Sequence, residues 1–328
     1  MPNQRASRPG TQLLQNFPHR LIVSIPAKDE SERIRGALLA LDQAAAHTST
    51  PVLALVLANN CADDTADIAR ATANQLRHCF TRIVAVDLPQ HFAHAGAERR
   101  TAVEQGMSGF AAIAEDIIVS TDADARLRND ALFRIDVAFA GGDDLVLAKI
   151  NCIRDPWDPV PDEALAWGRS GVVWRHRVRQ FVETVRKGRV APADLHDDYG
   201  GAGIAVRVSA YNKLGGFRAI PSNEDLELVR AADLANMRVN RHSGAVVDVL
   251  ARSTGRAEGG MADALARCAA SAVRGLPCLV EHHAVTISRV LRNPSHAHAF
   301  AAVVTQWEHA VEAIAGLDQA IRAYGDAQ

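Results

Sequence analysis

Two pairs of carboxylates are the side chains most suited to chemistry. Asp122 and Asp124 flank Ala123 directly after an apolar run, and Glu224 and Asp225 open an apolar helical pattern about a hundred residues later. Two carboxylates on one tight turn suit a hard cation such as Mg²⁺ or Mn²⁺, which keeps open positions for phosphate oxygens. Adjacent carboxylates repel each other, which raises the proton affinity of one and suits it to act as a base.

Each pair also has an ordinary structural interpretation. The Asp-Ala-Asp sequence could be an acidic turn that ends a strand, and Glu224 with Asp225 could complement the dipole of a helix. Polar segments follow the other predicted strands as well, at residues 26–30 and 59–65. Because α/β sheets bind ligands where the carboxyl ends of their strands meet the loops, this coincidence favours the chemical interpretation.

The first half of the chain alternates apolar strands with helical patterns, which is typical of a layered α/β sheet with right-handed crossovers. A helix is predicted to begin at Asp29 or Ser31, with Glu30 and Glu32 in its first turn. Residues 261–328 are predicted to be helical, and they either pack on the sheet domain or pair with a second subunit. The predicted strands are residues 21–25, 52–58, 82–86, 116–120, 144–149 and a later strand and loop over 246–260.

Composition narrows the class of protein. The net charge of −2 gives no basic footprint for nucleic acid, and no apolar run approaches the roughly 18–20 residues of a transmembrane helix. Residues 1–19 contain no apolar signal region and are expected to be a loose arm, which predicts a cytoplasmic protein. The five cysteines have no CxxC spacing, which argues against a disulfide framework and a zinc site.

Six short motifs occur in an order that resembles glycosyltransferase family 2. They are IPAKDE, ANNCADDT, HAGAERR, STDAD, GGAGIAVRVSAYNKLGGF and NEDLEL, and they span about residues 20–260. The resemblance implies a GT-A fold, which is Rossmann-like with a mostly parallel central sheet flanked by helices, here with a helical C-terminal extension. The implied domains are 20–150 for the nucleotide sugar, 151–260 for acceptor and catalysis, and 261–328 for the extension.

The resemblance also implies roles for individual residues. Asp124, with Asp122, would hold Mn²⁺ or Mg²⁺, and Asp225, beside Glu224, would take the proton from an acceptor hydroxyl. Arg99 or Arg100 could pair with phosphate or lie on a solvated helix face. His196 and Gly201 are weak acceptor-site candidates, with a structural histidine as the alternative. The implied nucleotide-sugar contacts are Pro26, Ala27, Asp29, Glu30, Asn60, Asp63, Gly96, Arg99, Asp122 and Ala123, and Arg252 and Arg256 are candidates for a diphosphate clamp or ordinary surface arginines.

The implied activity is a metal-dependent, inverting transfer of a sugar from a nucleoside-diphosphate sugar to an acceptor hydroxyl. The family more often has Asp where this chain has Asn59 and Asn60, so the base stays open. A non-catalytic nucleotide-sugar-binding relative is one alternative. A sugar-phosphate nucleotidyltransferase is another, although the first strand lacks the glycine-rich loop that would hold a triphosphate. A dinucleotide-dependent oxidoreductase is disfavoured because no GxGxxG follows a strand.

A basic segment bears on the acceptor. Seven basic residues occur between Arg169 and Arg189 with little acid to oppose them. An ordinary solvated helix face is one explanation. The sharper hypothesis is an anionic or lipid-linked acceptor, or contact with the inner membrane surface, because basic amphipathic helices favour anionic head groups.

Overall fold

The computed structural model describes residues 17–158, 160–162, 165, 180, 200–255, 260–263 and 265–266. Arg256, His196, most of the basic segment and residues 267–328 of the predicted extension lie outside the described residues. Within the described part, no helix is both long and apolar enough to cross a membrane.

The chain forms two compact units that are discontinuous in sequence. The first unit comprises Met1–Leu147 and Gly201–Asn240, and the second comprises Ala148–Gly200 and Arg241–Gln328. Both carboxylate pairs belong to the first unit. The described strands are β1 (Leu21–Ala27), β2 (Val52–Asn59), β3 (Cys79–Val86), β4 (Ile117–Ser120), β5 (Ala125–Leu127), β6 (Leu145–Arg154), β7 (Ile204–Arg207) and β8 (Val239–Ala251). The described α-helices are α1 (Ile34–Ala45), α2 (Thr65–Ala73), α3 (Ala95–Gly109), α4 (Ala131–Ala140), α5 (Val208–Leu214) and α6 (Glu224–Leu234).

The sheet of the first unit is built around β1, which pairs in parallel with β2 on one side and β4 on the other. β2 continues in parallel to β3. Almost every residue of β1, β2 and β4 is buried, as expected for strands whose two faces are both covered by helices. The predicted α/β fold with a mostly parallel sheet flanked by helices is confirmed.

β7 is the strand that departs from the parallel pattern. It runs antiparallel to β4, with Ser120 opposite Ile204, and also antiparallel to β6 through Leu145–Leu147. The end of β4 and the beginning of β7 therefore lie at the same edge of the sheet. A short 3₁₀ turn, Gly201–Gly203, immediately precedes β7 and so comes to lie beside the residues that follow Ser120.

Two predicted boundaries are wrong for physical reasons. The first helix begins at Ile34, because Asp29 adopts a left-handed backbone (φ 49°) that an α-helix does not admit. β3 begins at Cys79, earlier than expected, because the Asp42 carboxylate accepts hydrogen bonds from the backbone N–H groups of residues 77–79 and fixes the entry to the strand.

In the second unit, the later part of β6 and most of β8 are joined by a hydrogen bond from Asn151 to Asp248 of 2.5 Å. β8 begins well before the predicted residue 246. The loop after it is held by Asp158, which accepts hydrogen bonds from Ser253 and Thr254, and these bonds lower the pKa of Asp158 to about 2. A small apolar cluster consists of Val160, Leu165, Ala251 and Leu265, with Cys152 and Met261 packed against it.

Candidate active site

The centre of the candidate site is the guanidinium of Arg99, which projects from the first turns of α3 and is buried (6% exposed). Its Nε donates to Glu224 Oε1 at 2.8 Å, and its Nη1 lies 2.8 Å from Asp122 Oδ1. The same Nη1 donates to Ser120 Oγ and to the carbonyl oxygen of Gly201, both at 2.9 Å. One side chain thus joins the end of β4, the turn before β7 and the start of α6.

Local packing fixes this guanidinium. The ring of Phe217, which is fully buried, lies beneath it at 5.9 Å from ring centroid to Cζ. A Cβ on Gly201 would overlap the guanidinium, so the turn before β7 requires glycine there. Burial alone would lower the pKa of Arg99, but the charges of Asp122 and Glu224 outweigh it and hold that pKa above its usual value.

Asp225 occupies the first turn of α6 and is held by two backbone donors. Gly201 N donates to Oδ2 at 2.9 Å, and Leu226 N donates to Oδ1 at 2.7 Å. Burial and the neighbouring charge of Glu224 raise the pKa of Asp225, against the opposite effects of Arg99 and the two N–H groups. A carboxylate with raised proton affinity and fixed orientation is suited to accept a proton.

Glu224 has a different role from its neighbour. Its side chain is buried and its Oε1 is bound by Arg99. Glu224 is therefore engaged as the partner of a buried arginine, whereas the oxygens of Asp225 are bound by backbone N–H groups. Neither residue serves only to complement the dipole of α6, since each is bound by a group outside that helix.

The Asp-Ala-Asp turn after β4 differs in exposure along its three residues. The side chain of Asp122 is 31% exposed, whereas Ala123 and Asp124 are buried at 2% and 6% exposure. The turn is closed by a hydrogen bond from Ala125 N to the Asp122 carbonyl oxygen at 3.1 Å. Two carboxylates with only oxygen donors fit Mg²⁺ or Mn²⁺ in donor chemistry.

The predicted nucleotide-binding loops after β1 and β2 hold each other. Asp29 Oδ1 accepts from Ala62 N at 2.7 Å, and Asp63 Oδ2 accepts from Ser31 N at 3.0 Å. Glu30 N donates to Thr65 Oγ1 at 2.7 Å. Through these hydrogen bonds the polar side chains stabilise the two loops. Their contact with a nucleotide stays a prediction. Pro26 and Ala27 end β1 directly before this pair of loops.

Asp29, Cys61 and Asp63 form a group whose potential ligand atoms lie within 4.8 Å of one another. The group fits a hard cation poorly. Burial raises the pKa of the Cys61 thiol, which therefore keeps its proton. Burial opposes ionisation of Asp63, but hydrogen bonds from Thr65 and Ser31 hold its pKa below the ordinary value, so its oxygens are already used within the fold.

Three further predicted residues are explained by contacts within the fold. Asn60 has a left-handed backbone (φ 47°), and its amide both donates to and accepts from the backbone of Leu88. A Cβ on Gly96 would overlap the backbone of residues 218–220, so its close approach is to the protein itself. Gly201 orients Asp225 through its N–H. Their predicted roles toward donor or acceptor remain untested.

One predicted site residue that the structure describes lies outside the first unit. Arg252 directly follows β8 in the second unit and is half-buried.

Sequence reasoning missed Ser120, whose hydroxyl binds Arg99, although its position as the last residue of an apolar strand could have indicated it. Sequence reasoning also gave Arg99 a phosphate or a solvated face, whereas its guanidinium is buried among carboxylates.

Comparison with known proteins gives fold-level similarities only. No protein-family model matches the sequence, and no curated protein matches it. S. aureus TarS 1–349 in complex with UDP-GlcNAc is similar with a TM-score of 0.49 and 14% identity, covering 83% of this chain and 70% of that chain. The chain spans 42% of the longer TarS chain in another structure.

Two other similar structures are enzymes by name. Mannosyltransferase PcManGT from Pyrobaculum calidifontis, in complex with GDP-Man and Mn²⁺, has a TM-score of 0.47 and 15% identity over 96% of this chain and 88% of that chain. M. tuberculosis glucosyl-3-phosphoglycerate synthase has a TM-score of 0.41 and 17% identity over 82% and 87%.

Proposed function

We propose that the protein is a metal-dependent, inverting glycosyltransferase that moves a sugar from a nucleoside-diphosphate sugar to an acceptor hydroxyl. The observation that carries the proposal is a continuous set of contacts from Asp122 to Asp225: Asp122 pairs with Arg99, Arg99 donates to the carbonyl oxygen of Gly201, and the N–H of Gly201 donates to Asp225. These aspartates are about a hundred residues apart in sequence, yet both lie at the edge where parallel strands present ligand sites.

Asp225 is the general base of the proposed reaction. The acceptor oxygen forms a bond to the anomeric carbon while the bond from that carbon to the diphosphate oxygen breaks. The proton of the hydroxyl passes to Asp225, and the electron pair leaves with the nucleoside diphosphate. Attack on the face opposite the leaving group inverts the configuration of the anomeric carbon. The N–H groups of Gly201 and Leu226 keep the carboxylate aimed while this happens.

Asp124 and Asp122 are the proposed ligands of Mg²⁺ or Mn²⁺. A bound cation would neutralise charge on the departing diphosphate and orient it. Asp122 also keeps contact with Arg99, so its carboxylate is fixed before any ligand binds. The loops after β1 and β2, through residues such as Asp29, Asn60 and Asp63, are the proposed surroundings of base and ribose. We propose an anionic or lipid-linked acceptor on the grounds of the basic segment alone.

A non-catalytic nucleotide-sugar-binding protein is the second candidate. Asp225 argues against it, because a pure binder has no need for a half-buried carboxylate with a raised pKa beside a second carboxylate. The two candidates differ in one measurable property, which is turnover.

The test uses the Asp225→Asn substitution. Purified protein is supplied with UDP, GDP and dTDP sugars and Mn²⁺, and release of nucleoside diphosphate is measured with and without acceptor extracts. Loss of the base should lower the rate by about 10²–10⁴-fold. Binding of the nucleotide, measured by calorimetry, should be retained.

The matched control is Glu227→Gln, which alters an exposed ion pair with Arg230 in the same turn of α6. Its rate should stay within about twofold of the wild type, because surface ion pairs contribute little. Undiminished release by Asp225→Asn would refute the base, and absence of turnover with every donor would favour the pure binder.

A further inference from the structure

Arg99 contacts both halves of the proposed chemistry, and no other described ion pair links them. One nitrogen, Nη1, meets Asp122 on the donor side, and another, Nε, meets Glu224 beside the base. The two carboxylates come from β4 and α6, elements whose residues are about a hundred positions apart. A rigid, planar guanidinium can hold two such partners in one fixed geometry, whereas an ammonium cannot.

A second link runs through the backbone of Gly201. Arg99 Nη1 binds the carbonyl oxygen of this residue, and its N–H binds Asp225 Oδ2. Asp225 is therefore held in two ways. The peptide of Gly201 binds its side chain, and its backbone is fixed next to Glu224 in the chain. Gly201 and Glu224 are both bound by the guanidinium of Arg99.

The guanidinium does not have the surroundings of a phosphate ligand. It is buried, and the described contacts of Nε and Nη1 go to two carboxylates, a hydroxyl and a carbonyl. An arginine that waits for phosphate is expected to point its donors into an open cleft. Nor does Arg99 lie on a solvated face of α3, where Arg100 and Glu104 form an exposed pair.

We propose that Arg99 is a positioning residue that fixes the proton acceptor Asp225 relative to the donor-side carboxylate Asp122. The inference rests on the proposed function, because it takes Asp225 as the base. Arg99 does not touch substrate in this assignment. It acts by keeping the peptide of Gly201 and the side chain of Glu224 in register with the turn after β4.

The charges of Glu224 and Arg99 predict the direction in which each substitution shifts the pKa of Asp225. Glu224 raises the pKa of Asp225, and Arg99 lowers it. Removal of the charge of Glu224 should therefore lower the titration midpoint of Asp225. Removal of the positive charge of Arg99 should raise it. A residue with a merely structural role in packing would leave that midpoint unchanged.

The variants are Arg99→Lys, Arg99→Met and Glu224→Gln, with Arg134→Lys as control. Arg134 is an exposed helical arginine that pairs with Asp130, away from the candidate site. Circular dichroism and urea unfolding check that each variant is folded. Glu224→Gln keeps the inference testable where the Arg99 variants do not fold, because a neutral amide can still accept from Arg99 Nε.

The first readout does not depend on activity. Carbon-13 NMR of protein labelled at the aspartate carboxyl carbons, with Asp225→Asn to assign the signal, gives the titration midpoint of Asp225. We expect the midpoint to fall in Glu224→Gln, to rise in Arg99→Met and to stay unchanged in Arg134→Lys. An unchanged midpoint in both of the first two variants would overturn the inference, whatever reaction the protein catalyses.

The second readout is kinetic. Arg99→Lys retains the positive charge but loses the planar, forked set of guanidinium N–H donors. Because a displacement of about 1 Å can lower the rate by about 10²-fold, kcat should fall by about 10–100-fold. Glu224→Gln should lower kcat with the KM for the donor unchanged. Binding of the nucleoside diphosphate in the presence of Mn²⁺, measured by calorimetry, should be unaffected in both. Loss of that binding in Arg99→Lys, with kcat retained, would identify a phosphate ligand and overturn the positioning role.

Failure of the proposed function gives a different result. The wild-type protein would then show no turnover with any donor, while the NMR midpoints could still shift as expected. Unshifted midpoints together with normal turnover would reject the role of Arg99 alone.

Discussion

Two features of the surroundings of Asp225 have opposite effects on its charged form. Its carboxylate is half-buried beside Glu224, which makes the charged form unfavourable, yet two backbone N–H groups orient it. Such an arrangement costs folding free energy at neutral pH, because the folded state favours the protonated form more than the unfolded chain does. Costs of this kind are characteristic of groups that handle protons.

The pH dependence of transfer follows from this raised pKa. The base is active only when it is deprotonated, so kcat/KM should rise with pH through the raised pKa of Asp225, about tenfold per pH unit below it. The rate is measured from about pH 3 to about pH 8, a range that includes the ordinary Asp pKa of about 3.9. The residual activity of Asp225→Asn should lack this acidic limb, and an identical limb in that variant would assign the titration to another group.

Stability should change with the opposite sign. Because the folded pKa of Asp225 lies above its unfolded value, its contribution to stability is present at low pH and is lost as pH rises through the folded pKa. The residue thus becomes active under the conditions in which it ceases to stabilise the fold.

At the level of residues, the sequence predicted the kinds of side chain but not their partners. Asp122, Asp124, Glu224 and Asp225 were found from residue type and position after a strand or at a helix start. The destination of Arg99 was not, because its partner Glu224 is 125 positions away and the choice depends on how α3 packs against α6. Residue type alone does not distinguish an arginine that binds phosphate from a buried arginine that joins two elements through ion pairs.

Among the elements, α3 carries Arg99 and must be held at a fixed height above the sheet. Gly96 allows its first turn to approach the backbone of residues 218–220, and Arg218 O would lie 2.6 Å from an added Cβ. Gly106 lies further along the same helix, where an added Cβ would meet Ile22 Cγ2 at 3.4 Å. These two glycines therefore make different demands on the same element.

Alanine at these positions should have opposite consequences. Gly96→Ala forces backbone against backbone and should lower the free energy of unfolding by about 1–3 kcal/mol or more. Gly106→Ala gains helix propensity, worth up to about 1 kcal/mol, and should be neutral or slightly stabilising. Urea unfolding of both variants and the wild type gives the difference. Equal stability of the two variants would mean that the contact at Gly96 does not constrain α3.

The strands show which part of the fold a sequence pattern can predict. β1, β2 and β4 are continuous apolar runs, and their existence followed from composition and length. β7 has the same texture, but its antiparallel pairing with β4 is a property of two distant segments. The start of α1 was missed because the bond from Ala62 to Asp29 holds the loop out of the helix.

The whole molecule is divided differently from the sequence-based expectation of consecutive domains. The first unit ends at Leu147 and resumes at Gly201, and its second segment supplies Gly201, Glu224 and Asp225. A boundary that the chain crosses three times leaves no mark in local composition. The proposed chemistry therefore depends on a unit whose two segments must fold together, and its ligands should stabilise that unit as a whole.

Ligand binding should appear as a thermal shift. A ligand that binds only the folded protein stabilises it by about 2.7 kcal/mol at a hundredfold excess over Kd. A unit of about 150–250 residues gains about 2–4 °C per kcal/mol, so Tm should rise by about 5–10 °C with Mn²⁺ and the correct nucleoside diphosphate. UDP, GDP and dTDP are compared, and the largest shift identifies the base that the protein accepts beside Asn59 and Asn60, at the end of β2.

The metal part of the shift is separated by chelation and by substitution. EDTA should remove most of the rise in Tm, because Asp124 and Asp122 would hold a cation that neutralises charge on the diphosphate. Asp124→Asn should respond to the nucleotide as the chelated wild type does, because the amide is a weaker ligand for a hard cation. Asp130→Asn, which alters an exposed pair with Arg134, should keep the full shift. A shift that is equally large with EDTA, or retained in Asp124→Asn, would show that nucleotide binding proceeds without this carboxylate and its metal.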